Sequence, residues 1–177
     1  KQLGRVRHIG VSNHSVEQMK RLNSVYPVAS LQPPYSLIAR DVETEILPYC
    51  KQAQIGVVCY SPMGKGLLTG AFTAERAAAL PDDDHRSRDP KFQPPLLDIN
   101  LRLVDGLREI AANHQRSVAD LALAWVLRRP EVTSAIVGAR RPDQVDGVTA
   151  AADWTLGGDD IDQISRRLEQ RQVELNA

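Results

Sequence analysis

Four short runs rich in β-branched residues recur along the 177-residue chain: VRHIGVS (6–12), VASLQ (28–32), IGVVCY (55–60) and VTSAIV (132–137). Each is followed by turn residues and, sooner or later, by apolar residues at helical spacing. Such runs, bounded by Gly, Pro, Asn or Ser, read as strands. Strand–helix alternation requires crossover connections, which are right-handed and leave successive strands parallel. The predicted fold class is therefore α/β with four parallel strands. The almost uninterrupted apolar character of 55–60 predicts a strand buried on both faces.

The helical segments carry their own punctuation. Ser15 is placed to cap a helix whose Val16, Met19 and Leu22 share one face, with Pro27 beyond its end. Asp41 is placed to cap a second helix with Val42, Ile46, Leu47 and Cys50 inward, and Pro48 predicts a distortion in it. Residues 97–115 set Ile99, Leu103, Leu107, Ile110 and His114 on one face. Ser117 and Asp120 form a capping box before LALAWVL, which is apolar nearly all round and predicts a buried helix. Pro142 suits the first turn of a helix after the fourth strand, and a last helix over about 160–172 carries Ile161, Ile164 and Leu168. Residues 61–97 show no clear periodicity, the mark of a functional lid or an insertion.

With 22 basic against 22 acidic residues, the chain has no bulk charge to hold nucleic acid or a membrane surface. A hydrophobic content of 42% over this length supports a buried core in one domain, or a large piece of one, over residues 1–177. Cys50 and Cys59 lie in apolar runs with no metal spacing, which predicts buried reduced thiols and a cytoplasmic setting. No apolar run approaches the roughly 20 residues of a membrane span, and KQLGRVRHIG lacks the apolar core of a signal peptide.

In parallel α/β folds function gathers where strands end. The residues at the four predicted ends are Ser12 and Asn13, Gln32, Tyr60 and Ser61, and Gly138, Ala139 and Arg140. Singly, these read as a helix-capping turn, a strand terminus, a core aromatic and a basic turn. Together they raise one composite site. The stretch CYSPMGKGLLTG (59–70) matches neither the dinucleotide G-x-G-x-x-G nor the P-loop pattern, so its glycines alone do not identify a phosphate cradle.

With those four ends in place, the chain resembles the aldo-keto reductase superfamily. The phrases that carry the resemblance are GRVRHIGVSNHS, LQPPYSLIARDVETEILPYCKQAQIGVVCYSPMGKGLLTG, DHRSRDPKFQ and LREIAANHQRSVADLALAWVLRRPEVTSAIVGARRPDQV. The resemblance implies a (β/α)₈ barrel of the TIM type, of which this chain matches the second half, strands five to eight. It also implies NADPH-dependent reduction of aldehydes or ketones. In that family hydride passes from the nicotinamide to carbon, while a tyrosine tuned by a lysine, an aspartate and usually a histidine protonates the oxygen. The motifs carrying those four would precede Lys1, so no catalytic residue is assigned here; Tyr26, Tyr35, Tyr49 and Lys65 match none of them.

What the resemblance does assign is the cofactor. Ser12, Asn13 and Gln32 would hydrogen-bond the nicotinamide carboxamide and Tyr60 would stack on its ring. Ser61, Met63 and Gly66 would offer backbone groups to the pyrophosphate, with Leu68 beside it. Lys65 and Arg86 would add charge, although Lys65 could be a solvated loop lysine and neighbouring aspartates could instead hold Arg86 in an ion pair. Gly138, Arg140 and Gln144 would hold the adenosine end, with Arg140 on the 2′-phosphate. Gly147 and Val148 stand where Glu and Asn commonly meet adenine in that family. The alternative is a catalytically inactive half-barrel that binds nucleotide, a complementary half or a second copy through its open strand edges.

Overall fold

The computed structural model of the chain describes residues 3–139 and 141–177. Its contacts sort it into two compact units, one of residues 1–62 and 126–138, the other of residues 63–125 and 139–177.

The first unit holds a four-stranded parallel sheet in the order β1 (Gly10–Ser12), β2 (Ser30–Gln32), β3 (Gly56–Tyr60) and β4 (Val132–Ile136). Chain order and spatial order coincide, as crossovers of one hand require. In register, Val11 pairs with Leu31, Leu31 with Val57 and Val57 with Val132. A bulge after Val57 shifts the β3–β4 register, and the Thr133 hydroxyl accepts from the Val57 N–H at 3.2 Å. β1 and β2 are shorter than the runs that announced them, because ladder pairing begins only at Gly10 and Ser30. Val6 and Ile9 are exposed.

β3 corrects the expectation of two buried faces. Val57 and Cys59 are completely buried, whereas Gly56, Val58 and Tyr60 are partly exposed. An apolar run reports side-chain type; coverage depends on what packs against each face, and only the Val57 face is covered.

α1 (Val16–Asn23) starts as expected: the Ser15 hydroxyl accepts from Gln18 N–H, and the Gln18 side chain accepts from Ser15 N–H. Of its predicted stripe Met19 is buried, while Leu22 is 38% exposed. Asp41 begins a single 3₁₀ turn (Asp41–Glu43) instead of capping an α-helix. α2 (Ile46–Gln52) follows, and Pro48 sits in its first turn, where a missing N–H removes no helical bond, so no distortion is required.

In the second unit the interval without periodicity consists of short ordered pieces: 3₁₀ turns at Gly64–Thr69, His85–Arg88 and Pro90–Phe92, and α3 (Ala74–Ala78). Thr73, Asp84 and Asp89 cap the last three through N–H groups two or three residues on. Leu67, Leu68, Phe72, Phe92 and Leu97 are buried, with the two phenylalanine rings edge to face at 5.1 Å. Pieces of three to six residues are too short to display a helical period, which is why the sequence reads as one loop.

α4 (Leu96–Asn113), α5 (Val118–Leu127), α6 (Pro142–Thr149) and α7 (Gly158–Leu175) complete the chain. α4 packs on α7, with Leu103, Leu107, Ile110, Ile164 and Leu168 buried. The two helices approach closely at Gly106, where an added Cβ would lie 2.7 Å from Arg167 Nε and push that flexible side chain aside. The Ser117–Asp120 capping box forms, and Leu121 through Val126 are buried all round. His114 leaves the predicted apolar stripe; it caps the end of α4, and its Nε2 lies 2.8 Å from Asp160 Oδ1. Among the described residues no helix is long and apolar enough to cross a membrane.

Candidate functional site

In the first unit three parallel strands end side by side and present uncharged polar side chains. The Ser12 hydroxyl donates to the Gln32 carbonyl at 2.9 Å, and the Asn13 N–H donates to the same oxygen at 3.2 Å. Asn13 leaves β1 with φ of 56°, in the left-handed region that asparagine tolerates better than most residues. This turns its side chain to accept from the Tyr60 hydroxyl at 3.1 Å. The ends of β1, β2 and β3 are thus joined through Ser12, Asn13, Gln32 and Tyr60.

The cluster keeps spare capacity. Ser12, Asn13 and Gln32 are exposed and the Tyr60 ring is partly exposed. Neither the Gln32 side-chain amide nor Asn13 Nδ2 bonds to another described residue. Two amides and an aromatic ring at neighbouring strand ends suit a planar, uncharged group that both donates and accepts hydrogen bonds, as a carboxamide on a ring does. Ser61 follows with φ of 53°, and Gly138 is exposed after β4. His14, not singled out from sequence, places Nδ1 2.8 Å from the Ser12 carbonyl; its place in S-N-H after the strand was the available signal.

In the second unit Gly64, Lys65 and Gly66 adopt φ of 56°, 57° and 99° in succession, a path open to glycine and strained at Lys65. The turn is closed on itself: Gly66 and Leu68 N–H groups both donate to the Met63 carbonyl at 3.1 Å, and the Thr69 hydroxyl donates to the Gly66 carbonyl. The Leu68 side chain is completely buried.

Lys65 and Arg86 already have carboxylate partners. Lys65 Nζ lies 2.9 Å from Asp89 Oδ2. Arg86 grips Asp84 through Nε and Nη2, the latter at 2.6 Å, and its Nη1 lies 3.8 Å from where a Cβ on Gly66 would stand. The hydrogen bonds from Arg86 hold the Asp84 carboxyl well below the usual carboxylate range. Burial would raise Asp89, but bonds from Lys65 and from Lys91 N–H outweigh it and leave the group lowered. Arg140 lies outside the described residues. Gln144, on α6, accepts from the Arg141 N–H at 3.2 Å.

The sequence profile of the aldo/keto reductase family matches residues 1–169. The chain is 40% identical over 167 residues to aldo-keto reductase YhdN of Bacillus subtilis, covering 94% of itself and 50% of that protein. It is 29% identical to aldo-keto reductase yakc [NADP(+)] of Schizosaccharomyces pombe, covering 96% of itself and 50% of that relative. Among solved structures, the glycerol dehydrogenase AKR11B4 of Gluconobacter oxydans superposes with a TM-score of 0.89 at 38% identity, over 96% of this chain and 51% of that one. The chain spans about half the length of these relatives.

Proposed function

The chain belongs to the aldo/keto reductase family, and on that premise we propose that it is the cofactor-binding half of an NADPH-dependent oxidoreductase that reduces aldehydes or ketones. The observation that carries this is the hydrogen-bonded cluster of Ser12, Asn13, Gln32 and Tyr60 at three strand ends. The spare capacity of its two amides and its partly exposed aromatic residue fit a nicotinamide. The bound cofactor supplies a hydride equivalent; the residues of this chain bind and orient it. Ser12, Asn13 and Gln32 hold the carboxamide, and Tyr60 fixes which ring face is presented.

The turn with Ser61, Met63, Lys65 and Gly66, together with Arg86, serves the pyrophosphate. Arg140 and Gln144 serve the adenosine end, Arg140 as the planar fork that meets a 2′-phosphate. The name of the fission-yeast relative supports the NADP preference. Residues 61–97 would act as the lid, in a cytoplasmic enzyme whose two buried cysteines stay reduced.

We further propose that the proton donor comes from outside these 177 residues. Tyr35 is buried with its phenol on Glu43, and Tyr49, on α2, accepts from Asn23 at the end of α1, so both hydroxyls are already engaged. Lack of a general acid lowers such a rate about 10²–10⁴-fold. The purified chain should therefore bind NADPH yet reduce no aldehyde measurably. The edges β1 and β4 of the open sheet offer pairing to a complementary half or a second copy, which sedimentation velocity would reveal.

Calorimetric titration with NADPH tests the central assignment. Gln32→Leu removes an amide at nearly constant volume and should weaken binding roughly tenfold; unchanged affinity would remove the strand-end cluster from the site. Arg140→Ala should weaken NADPH far more than NADH, and equal loss on both would discard the 2′-phosphate assignment.

A further inference from the structure

Tyr60 is oriented by its backbone as much as by its hydroxyl, and that backbone is held by a segment with no assigned role. After β2 the chain runs alongside the end of β3. The Tyr60 N–H donates to the Pro33 carbonyl at 3.0 Å, and the Tyr35 N–H donates to the Tyr60 carbonyl at 3.3 Å. Both main-chain groups of Tyr60 are therefore bonded to residues 33–35.

That strap is itself anchored by a polar network built on the buried Tyr35. Tyr35 is completely buried; its phenol donates to Glu43 Oε1 at 2.6 Å and accepts from Arg128 Nη1 at 3.2 Å. Arg40 holds the other oxygen of Glu43 through Nε at 2.9 Å and Nη2 at 2.7 Å. Arg128 Nη2 stands 3.7 Å from Glu43 Oε1. Burial, then the bond to Glu43, pushes the Tyr35 phenol upward, so it remains a donor. Burial would raise Glu43, yet bonds from Arg40 and Tyr35 outweigh it and keep the carboxylate charged. Two guanidinium groups, one carboxylate and one phenol are thus bonded to one another. Such a network costs desolvation and, once complete, fixes a single geometry.

We propose that Tyr35, Glu43 and Arg128 are positioning residues for Tyr60, holding residues 33–35 in the register that leaves the Tyr60 ring partly exposed with its hydroxyl on Asn13. This rests on the assignment of Tyr60 to the nicotinamide. The network then acts on one end of the cofactor only.

Tyr35→Phe keeps the ring and its burial while deleting both phenol bonds. The variant should be titrated with NADPH and with adenosine 2′,5′-bisphosphate, which lacks the nicotinamide. NADPH binding should fall roughly tenfold, with the bisphosphate unchanged. A merely structural role would weaken both ligands alike or neither, and either result overturns the proposal. Glu43→Gln, close in shape, carries the same comparison should Tyr35→Phe fail to fold. Tyr60→Ala separates the two levels. If it leaves NADPH affinity intact, the stacking assignment falls and the proposal with it; if it weakens NADPH while Tyr35→Phe and Glu43→Gln do not, only the positioning role falls.

Discussion

At the ends of β1, β2 and β3 the polar side chains are neutral and keep unused hydrogen-bonding capacity, whereas in the second unit Lys65 and Arg86 are each already bonded to an aspartate. The contrast follows from what each group costs when unfilled. An exposed amide without a protein partner is solvated by water at little expense. A guanidinium only 12% exposed, as in Arg86, would be costly without a counter-charge. The neutral region can therefore stand open and preformed, while the charged one must exchange partners to admit an anion.

Packing gives the largest test of that contrast. Leu68, completely buried within the glycine-rich turn, should lose about 2–5 kcal/mol of stability on Leu68→Ala. Ile136, 44% exposed on β4, should change by no more than about 0.5 kcal/mol when truncated to alanine. Urea denaturation measures both. A loss below about 1 kcal/mol at Leu68 would mean that the turn is not a packed element, and a closed second region would no longer stand against an open first one.

The aspartates come next. Asp89 caps Lys91 N–H with one oxygen and binds Lys65 with the other, so Asp89→Ala should cost about 1–2 kcal/mol. Asp89→Asn, which keeps the cap, should recover most of it. The pH dependence has a definite sign. Asp84 and Asp89 are both lowered in the folded chain from the ordinary value of 3.8. Their contribution is present above 3.8 and is lost as pH falls through the folded values. Acid titration of the urea midpoint should be flatter in the double variant Asp84→Asn, Asp89→Asn than in the parent chain. An equal slope would assign the acid sensitivity elsewhere, with Glu43 the next group to test because it too is lowered.

The parts of the fold that were legible in the sequence are those decided within a few residues. Ser15 as a helix cap, Ser117 with Asp120 and Pro142 in a first turn are each decided locally, and each stands where the spacing put it. The strand ends were legible because β-branched runs stop at Ser12, Gln32 and Tyr60. What could not be read is what depends on distant chain. The half-exposed face of β3 reflects coverage, and the bond from Tyr60 to Asn13 spans 47 positions. The Tyr35–Glu43–Arg128 network needs residues 93 positions apart. Pro48 misled because its meaning depends on where α2 starts, two residues earlier.

The smallest expected effect discriminates most finely. Lys65 is 40% exposed in its pair with Asp89, and an ion pair of that exposure is worth about 0.2–1 kcal/mol after solvent screening. Lys65→Gln should therefore leave stability nearly unchanged. If the charged region takes phosphate, the same variant should weaken NADPH at low ionic strength and lose most of that deficit as salt screens the charge. Gln32→Leu removes a neutral contact, so its deficit should not vary with salt. Titrations of both variants across a salt series compare the regions directly. Parallel salt responses would mean that the neutral strand ends and the charged turn do not divide the ligand between them. Divergent responses would assign the uncharged ring to one and the phosphates to the other.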